Sequence, residues 1–559
     1  MLTSEQDNLI KIFERSLKAN WSLDAVTDYG TTTTLTYGQL AEEIWKYHCM
    51  FKQCGVKKGD KIAFMGRNNS HWVTTYLSAM TYGAILVPIM QDFTTDDALH
   101  ILVHSESMVL FITDQIWEGL ELDQMHKMKV VYSLTDLHIL AVRNASERKE
   151  YAYAQAEFKK TFPNGMTADD VKYDERENKE ILSINYTSGT TGFSKGVITP
   201  CNAIAGNIKL AFESGLVFPG CRHVAFLPLA HAYGCAFDFL SCLAAGGHTY
   251  LIGRTPAPKV LLQAFVEVKP TTILSVPLIL EKIYKKMIVP QISKAPVSWV
   301  LKVPGLDEIV LKKIRETLIN AFGGQFKEVI IGGAPMNAEV EQFLHRIKFP
   351  LTIGYGMTEC APLISYTGSD RFKPLSCGRA LDGLMETRIF EPDQDGIGEI
   401  QVRGENVMLG YYKNKEATKL AFTKDGWLRT GDLGLIDEDG FIFIKGRSKT
   451  MLLGPNGQNI YPEEIEEKLN NMPYVNESLV IQSPSGKLIA LVYPDRESAD
   501  MNDLSREEVE QAMEENRKEL NKRLAAYEQI AKVRIYALEF EKTPKKSIKR
   551  FLYTSMAED

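Results

Sequence analysis

Two stretches of this chain read as the same phrase, and that repetition limits the fold more than any other feature. In the first, Gly59-Asp60-Lys61-Ile62-Ala63-Phe64 is a short strand and residues 70–81 carry helical spacing. Gly83 then turns the chain into Ala84-Ile85-Leu86-Val87-Pro88, a second strand. The second phrase opens at Gly220-Cys221-Arg222-His223-Val224-Ala225-Phe226 and passes through a helical stretch at 237–245. It closes with Gly246-Gly247 and a strand at 248–252, and a further strand follows at 271–276. Strand, helix, strand with glycine at the last corner is a βαβ unit, whose crossover helix leaves its strands parallel. Two such units predict two neighbouring α/β subdomains with parallel sheets. A helix opening after Thr34-Leu35-Thr36 and running to about Gln53 precedes them.

From about Lys373 the texture changes. Short strands at 378–390, 398–404 and 440–444, separated by Gly/Asp turns, predict a small β-rich subdomain. Residues 450–559 carry charged helices at 462–471 and 505–529 and strands at 479–482, 487–492 and 533–536, enough for a separate compact domain. A chain of 559 residues is also too long for one core. The predicted class is therefore α/β. A large N-terminal domain holds two α/β subdomains and the β-rich one, and a smaller α+β domain ends the chain. The boundary falls near Gly446-Arg447-Ser448-Lys449, giving domains 1–447 and 448–559.

Composition narrows the class of partner. With 45% hydrophobic and 24% charged residues the chain is an ordinary globular one, and its net charge of -7 argues against nucleic acid as an electrostatic partner. The eight cysteines include no Cys-x-x-Cys pair, a spacing that suits neither a zinc site nor a disulfide framework and fits a reducing compartment. The start, Met1-Leu2-Thr3-Ser4-Glu5-Gln6-Asp7, is not a basic-then-apolar signal peptide. Residues 72–91 are uncharged but broken by Gly83 and Pro88, so they read as helix, turn and buried strand rather than a membrane span. The expectation is a soluble, cytoplasmic protein, with oligomeric state and any weak peripheral membrane contact left open.

Chemistry concentrates first in Tyr186-Thr187-Ser188-Gly189-Thr190-Thr191-Gly192-Phe193-Ser194-Lys195-Gly196-Val197, which follows the apolar run Ile181-Leu182-Ser183-Ile184. Glycines let backbone N–H groups converge, hydroxyls add donors, Lys195 adds positive charge, and no acid opposes them. Such a loop suits phosphate oxygens. It is not a P-loop, because no Gly-Lys pair with the required spacing is present. Nor is Gly354-Tyr355-Gly356-Met357-Thr358-Glu359 a dinucleotide fingerprint, since Glu359 stands where a third glycine is needed.

The loop closely resembles the phosphate-loop signature of the adenylate-forming superfamily, which includes acyl-CoA synthetases, peptide-synthetase adenylation domains and luciferases. Ser194 stands where proline is common there. Further patches match in the expected order along most of the chain. The resemblance assigns Thr187, Ser188, Gly189, Thr190, Thr191, Gly192 and Lys195 to the phosphates of ATP, and Gly333 and Ala334, within Gly332-Gly333-Ala334-Pro335, to the adenine. Tyr355 and Gly356 would lie against the base, Thr358 would donate to a phosphate oxygen, and Glu359 would hold Mg²⁺, which favours one or two carboxylates. Asp432 in Thr430-Gly431-Asp432-Leu433-Gly434 would accept from the ribose hydroxyls, with Arg447 as a second nucleotide contact. Lys449 falls at the hinge position of a mobile C-terminal domain. His231, within Leu227-Pro228-Leu229-Ala230-His231-Ala232-Tyr233-Gly234, would position the reacting carboxylate. Gly457-Gln458-Asn459-Ile460-Tyr461-Pro462-Glu463-Glu464-Ile465-Glu466 resembles the segment lining a thiol channel, although Pro462 with acids behind it is also an ordinary helix start.

What the resemblance implies is an enzyme most like bacterial long-chain fatty acyl-CoA synthetases. It would join a fatty acid to AMP at the expense of ATP and then transfer the acyl group to CoA. Two alternatives remain: delivery to a carrier protein or another acceptor, and a relative that binds without turning over. The second arises near the end of the chain, where the family's adenylation lysine falls on Ser547 within Glu541-Lys542-Thr543-Pro544-Lys545-Lys546-Ser547-Ile548-Lys549-Arg550. On a continuous extended strand Lys545 and Lys549 would share the side of Ser547 and Lys546 would face away. The reading adopted is that Lys546 substitutes through a one-residue shift of register.

Overall fold

In the computed structural model of the chain, Lys61–Met65 and Ile85–Ile89 pair in parallel, joined by the helix Ser70–Tyr82. Residues 8–145, 148, 150–187, 194–253, 257–292, 306–454, 458–502, 504–543 and 547–557 are described. Asn69 starts this helix by accepting from the Trp72 N–H at 2.7 Å, and Gly83 ends it in the left-handed region at φ 85°. The helix carries no Asp, Glu, Lys or Arg because nearly all of it is buried. At its end the guanidinium of buried Arg176 donates to Met80 O on the last turn at 3.4 Å and to Ala84 O just beyond the helix at 3.0 Å. Among the described residues no helix is long and apolar enough to cross a membrane.

The strands extend into an eight-stranded sheet in the order Gly410–Tyr411, Lys195–Pro200, Ile181–Thr187, Ile85–Ile89, Lys61–Met65, Val109–Ile112, Val130–Ser133, Ile139–Val142. Its centre is parallel, but both ends are antiparallel: hairpins add Lys195–Pro200 and Ile139–Val142, and the distant Gly410–Tyr411 lies on the first of these. The second phrase also pairs in parallel, Arg222–Ala225 with His248–Leu251, and Asp24–Asp28 joins the latter. Its connecting stretch differs from a plain helix. Cys235–Ser241 is π-helical and runs into Cys242–Ala244, with Ser241 Oγ donating five residues back to Ala236 O at 2.7 Å. Ile273–Ser275 belongs to another parallel sheet, with Val329–Ile331 and Leu351–Ile353.

Two compact units make up the chain, one from Met1–Thr187, Phe193–Glu386 and Val402–Gly426, the other from Ser188–Gly192, Thr387–Gln401 and Trp427–Asp559. The second carries most of the sheet ordered Met385–Phe390, Gly398–Gly404, Leu428–Ile436, Ile442–Arg447. It also carries a sheet of Val475–Gln482, Leu488–Pro494 and Ile530–Ile535. The helices Pro462–Asn470 and Arg506–Asn521 bury Ile465, Leu469, Met513 and Leu520 in a core with Val480 and Leu488. The predicted helix 505–529 starts as expected, at a Ser505–Glu508 capping box, but stops at Asn521. The reason is long-range: the Asn521 side chain accepts from Ile530 N at 2.8 Å and donates to Ile530 O at 2.9 Å, clamping the chain into its next strand.

His48, on the helix Tyr37–Gln53, holds its Nε2 at 3.0 Å from both Ser78 O and Thr81 Oγ1. Burial lowers its pKa from 6.5 to about 4. As pH falls below the unfolded value, the unfolded chain takes up a proton that the folded ring refuses, so acidification destabilises the fold. The ring keeps some solvent contact, which trims the effect to on the order of 2 kcal/mol by pH 4. Denaturant unfolding should therefore show a loss between pH 6.5 and 4 that is smaller in His48→Gln; identical slopes for both proteins would refute it.

Candidate active site

The strands Ile181–Thr187 and Lys195–Pro200 form a hairpin in which Thr187 stands opposite Lys195, so both ends of the glycine-rich loop are held at one place. Ser188, Gly189, Thr190, Thr191 and Gly192 lie outside the described residues. Lys195 is exposed, and its ammonium sits 5.1 Å from the centre of the Tyr411 ring. Tyr411 reaches this position because Gly410–Tyr411 is laid antiparallel on the hairpin, with Tyr411 opposite Val197. Its hydroxyl donates to Glu359 Oε1 at 2.9 Å. Burial, reinforced by the Glu359 charge, raises the phenol pKa well above its usual value, so the group stays a donor. Tyr411 thus links the glycine-rich loop to the Tyr355–Glu359 segment. No motif marked it in the sequence; the only signal was an aromatic pair, Tyr411-Tyr412, after a glycine.

The backbone around Glu359 is tightly held. Tyr355–Gly356 pairs with Leu363–Tyr366, and a Cβ on Gly356 would lie 2.2 Å from Pro362 O, which only glycine tolerates. Met357 N donates to Pro362 O at 2.8 Å, and Glu359 O accepts from Met408 N at 2.8 Å. Tyr355 and Thr358 are both buried. Glu359 therefore presents a carboxylate whose position is fixed from both sides. Tyr411 uses one of its oxygens. The remaining acceptor capacity fits a hard, oxygen-seeking cation such as Mg²⁺.

His231 caps the short helical turn Ala232–Gly234, its Nδ1 accepting from Tyr233 N at 3.3 Å. The buried Tyr233 hydroxyl donates to Ile330 O at 3.1 Å. Ile330 lies on Val329–Ile331, the strand that delivers Gly333 and Ala334, both exposed. The histidine patch and the glycine turn, far apart in sequence, are thereby joined. Leu229, Ala230, Ala232 and Cys235 also line a cavity of about 10 Å³, room for about one water.

In the second unit Asp432 and Arg447 face each other across Leu428–Ile436 and Ile442–Arg447, with Nε 3.2 Å from Oδ1. The Asp432 side chain is 10% exposed and that of Arg447 is 68% exposed, so the pair sits at the surface with its acid anchored. Lys449 is exposed in the turn that follows, where Ser448 N donates to Gly431 O and Met451 N to Arg447 O, both at 3.0 Å. The basic stretch near the C-terminus is not one extended strand. It folds back: Lys542 bridges Ile548, Thr543 N donates to Ser547 O, and Lys549 N donates to Glu541 O, the last two at 2.8 Å. The expected sorting of side chains by simple alternation fails for that reason. Ser547 is exposed, Lys549 pairs with Glu541 at 3.5 Å, and Lys545 and Lys546 lie outside the described residues.

The sequence model of the family described as AMP-binding enzyme matches residues 13–412, and that of the AMP-binding enzyme C-terminal domain matches 450–557. Long-chain-fatty-acid–CoA ligase FadD15 of Mycobacterium bovis is 27% identical over 93% of this chain and 90% of its own length. Long-chain-fatty-acid–CoA ligase ACSBG2 of Gallus gallus is 26% identical over 83% of this chain and 64% of its own. Among solved structures, ATP-bound MatB from Rhodopseudomonas palustris superimposes with a TM-score of 0.76 at 22% identity, covering 99% of this chain and all of that one.

Proposed function

This chain belongs to the AMP-binding enzyme family, within the adenylate-forming acyl-CoA ligases, and from that premise we propose that it activates a long-chain fatty acid with ATP and transfers it to CoA. The observation that carries the reading is the chain Lys195–Tyr411–Glu359, which brings a cation and a carboxylate from distant motifs to the base of the glycine-rich loop. The long-chain preference rests on the printed names of the curated relatives.

In the first half-reaction a carboxylate oxygen of the fatty acid attacks the α-phosphorus of ATP. The bond to the bridging oxygen breaks, and pyrophosphate leaves with the electron pair. Lys195, Thr187, Thr358 and the loop residues 188–192 hold the phosphates and spread their charge. Glu359 would hold Mg²⁺, which when bound offsets further phosphate charge. Gly333, Ala334, Tyr355 and Gly356 receive the adenine, while Asp432 and Arg447 hold the ribose. His231, fixed as a helix cap, orients the fatty acid carboxylate.

In the second half-reaction the CoA sulfur attacks the acyl carbon, the bond to AMP breaks, AMP leaves, and the thiol proton passes to solvent. No covalent enzyme nucleophile is needed, because the adenylate is already a good leaving group; the protein's work is positioning. Residues 448–559 act as the domain that turns between the halves, with Lys449 as hinge. A cytoplasmic setting agrees with eight cysteines, none of them in a disulfide.

Pyrophosphate release should be measured on a series of carboxylic acids with and without CoA. The expected result is release that depends on a long-chain acid, with thioester appearing only when CoA is present. Release without thioester would move the acceptor from CoA to a carrier protein, and no release with any acid would overturn the reading.

A further inference from the structure

We propose that Cys221, His223 and Cys242 form a buried Zn²⁺ site with Asp238 as its supporting carboxylate. Cysteine spacing alone argued against zinc, because that test looks for Cys-x-x-Cys. The fold builds the set differently. Cys221 and His223, two residues apart at the start of the strand Arg222–Ala225, fall on one face of it. Cys242 and Asp238 come from the π-helical stretch and the turn behind it, which follow that strand.

Sγ of Cys221 lies 3.7 Å from Sγ of Cys242, and one ligand atom from each of Cys221, His223 and Cys242 lies within 4.8 Å of the others. Two thiolates on a tetrahedral zinc, each about 2.3 Å from the metal, stand about 3.8 Å apart. A disulfide would need about 2 Å. Gly247 keeps the space clear, since a Cβ there would come within 2.4 Å of Cys221 Sγ and 2.7 Å of Cys242 Sγ. All four side chains are buried, His223 and Asp238 at 1% exposure.

A second observation, independent of the thiols, points the same way. Nδ1 of His223 and Oδ1 of Asp238 face each other, which leaves Nε2 and Oδ2 with no hydrogen-bond partner. Buried polar groups are almost always satisfied, so these atoms, beside two thiols, call for an occupant. Asp238 Oδ1 lies 3.4 Å from His223 Nδ1, the relation in which a carboxylate orients a metal-bound imidazole. Binding would release both thiol protons to solvent, leaving two thiolates and a neutral imidazole on the ion. All three protein ligands are buried, the site is filled as the chain folds, and a water would complete the tetrahedral shell.

The test reads metal content, so it stands apart from the proposed activity. Full-length protein purified under reducing conditions should retain about one zinc per chain through chelator treatment when folded, and release it to a zinc indicator on unfolding. Cys221→Ser and Cys242→Ser should lose the zinc, and Asp238→Asn should bind it about 10- to 100-fold more weakly. Because a buried variant could fail to fold, the wild-type chain provides the second arm. Reduced, metal-free protein refolded with Co²⁺ should develop a thiolate-to-metal charge-transfer band and strong tetrahedral d–d bands. Protein that carries no zinc and gives no such bands would overturn the site. So would a Cys221–Cys242 disulfide found by mass spectrometry in freshly isolated, metal-free chain.

Discussion

Replacing Glu359 by glutamine is expected to slow acyl-adenylate formation by on the order of 100-fold or more while leaving the fold intact. The substitution is nearly isosteric and can keep the Tyr411 contact through the amide oxygen, so packing is preserved. What disappears is the negative charge, which a hard cation bound through oxygen requires. The backbone on both sides is pinned, by Met357 N on Pro362 O and by Met408 N on Glu359 O, so the variant side chain starts from the same place. Tyr411→Phe isolates the other part of the arrangement. It removes one donor to the carboxylate but leaves the charge, and a single bond to a charged group amounts to about 1.5 kcal/mol or somewhat more, roughly 10-fold or above. Rates of pyrophosphate release across a Mg²⁺ titration would show both effects. Glu359→Gln should need far more Mg²⁺ and never recover fully, whereas Tyr411→Phe should be mild throughout. A near-normal rate for Glu359→Gln at limiting Mg²⁺ would remove this residue from the site.

Lys546→Ala is expected to slow adenylation, also on the order of 100-fold, and to leave thioester formation from preformed acyl-adenylate almost unchanged. The argument begins from Ser547, which is exposed, uncharged and too short to act where the family places a lysine. Residues 541–543 and 547–549 run back along each other. Behind the fold-back, Arg550 anchors the segment through Glu466 and, at 3.7 Å, Glu463 on the helix Pro462–Asn470. Lys549 is engaged by Glu541, and Lys549→Ala should cost adenylation little. Lys545→Ala tests the neighbour, and Ser547→Lys tests the family arrangement directly. If every lysine variant adenylates normally while Ser547→Lys accelerates the step greatly, the substitution idea is wrong and the chain is an adenylation-impaired member of its family.

Local pattern carried the sequence a long way here. The strand–helix–strand phrases and the helix Ser70–Tyr82 with its closing glycine follow from short-range periodicity and turn chemistry. The order of the motifs along the chain likewise carries the resemblance to its family. Other features depend on contacts between residues remote in sequence, which no local window contains. Tyr411 is 52 residues from the carboxylate it holds, and its place is set by a two-residue strand joining a hairpin edge. The helix at Arg506–Asn521 ends where a side chain finds the backbone of a later strand, although its helical pattern continues. The outer strands turned the expected parallel sheet into a mixed one, because hairpins can add strands without a crossover. Cys221, His223, Asp238 and Cys242 show the same division most sharply. In sequence they are scattered residues of unremarkable spacing. Only the π-helical turn packed behind a strand puts two thiols, an imidazole and a carboxylate together away from water.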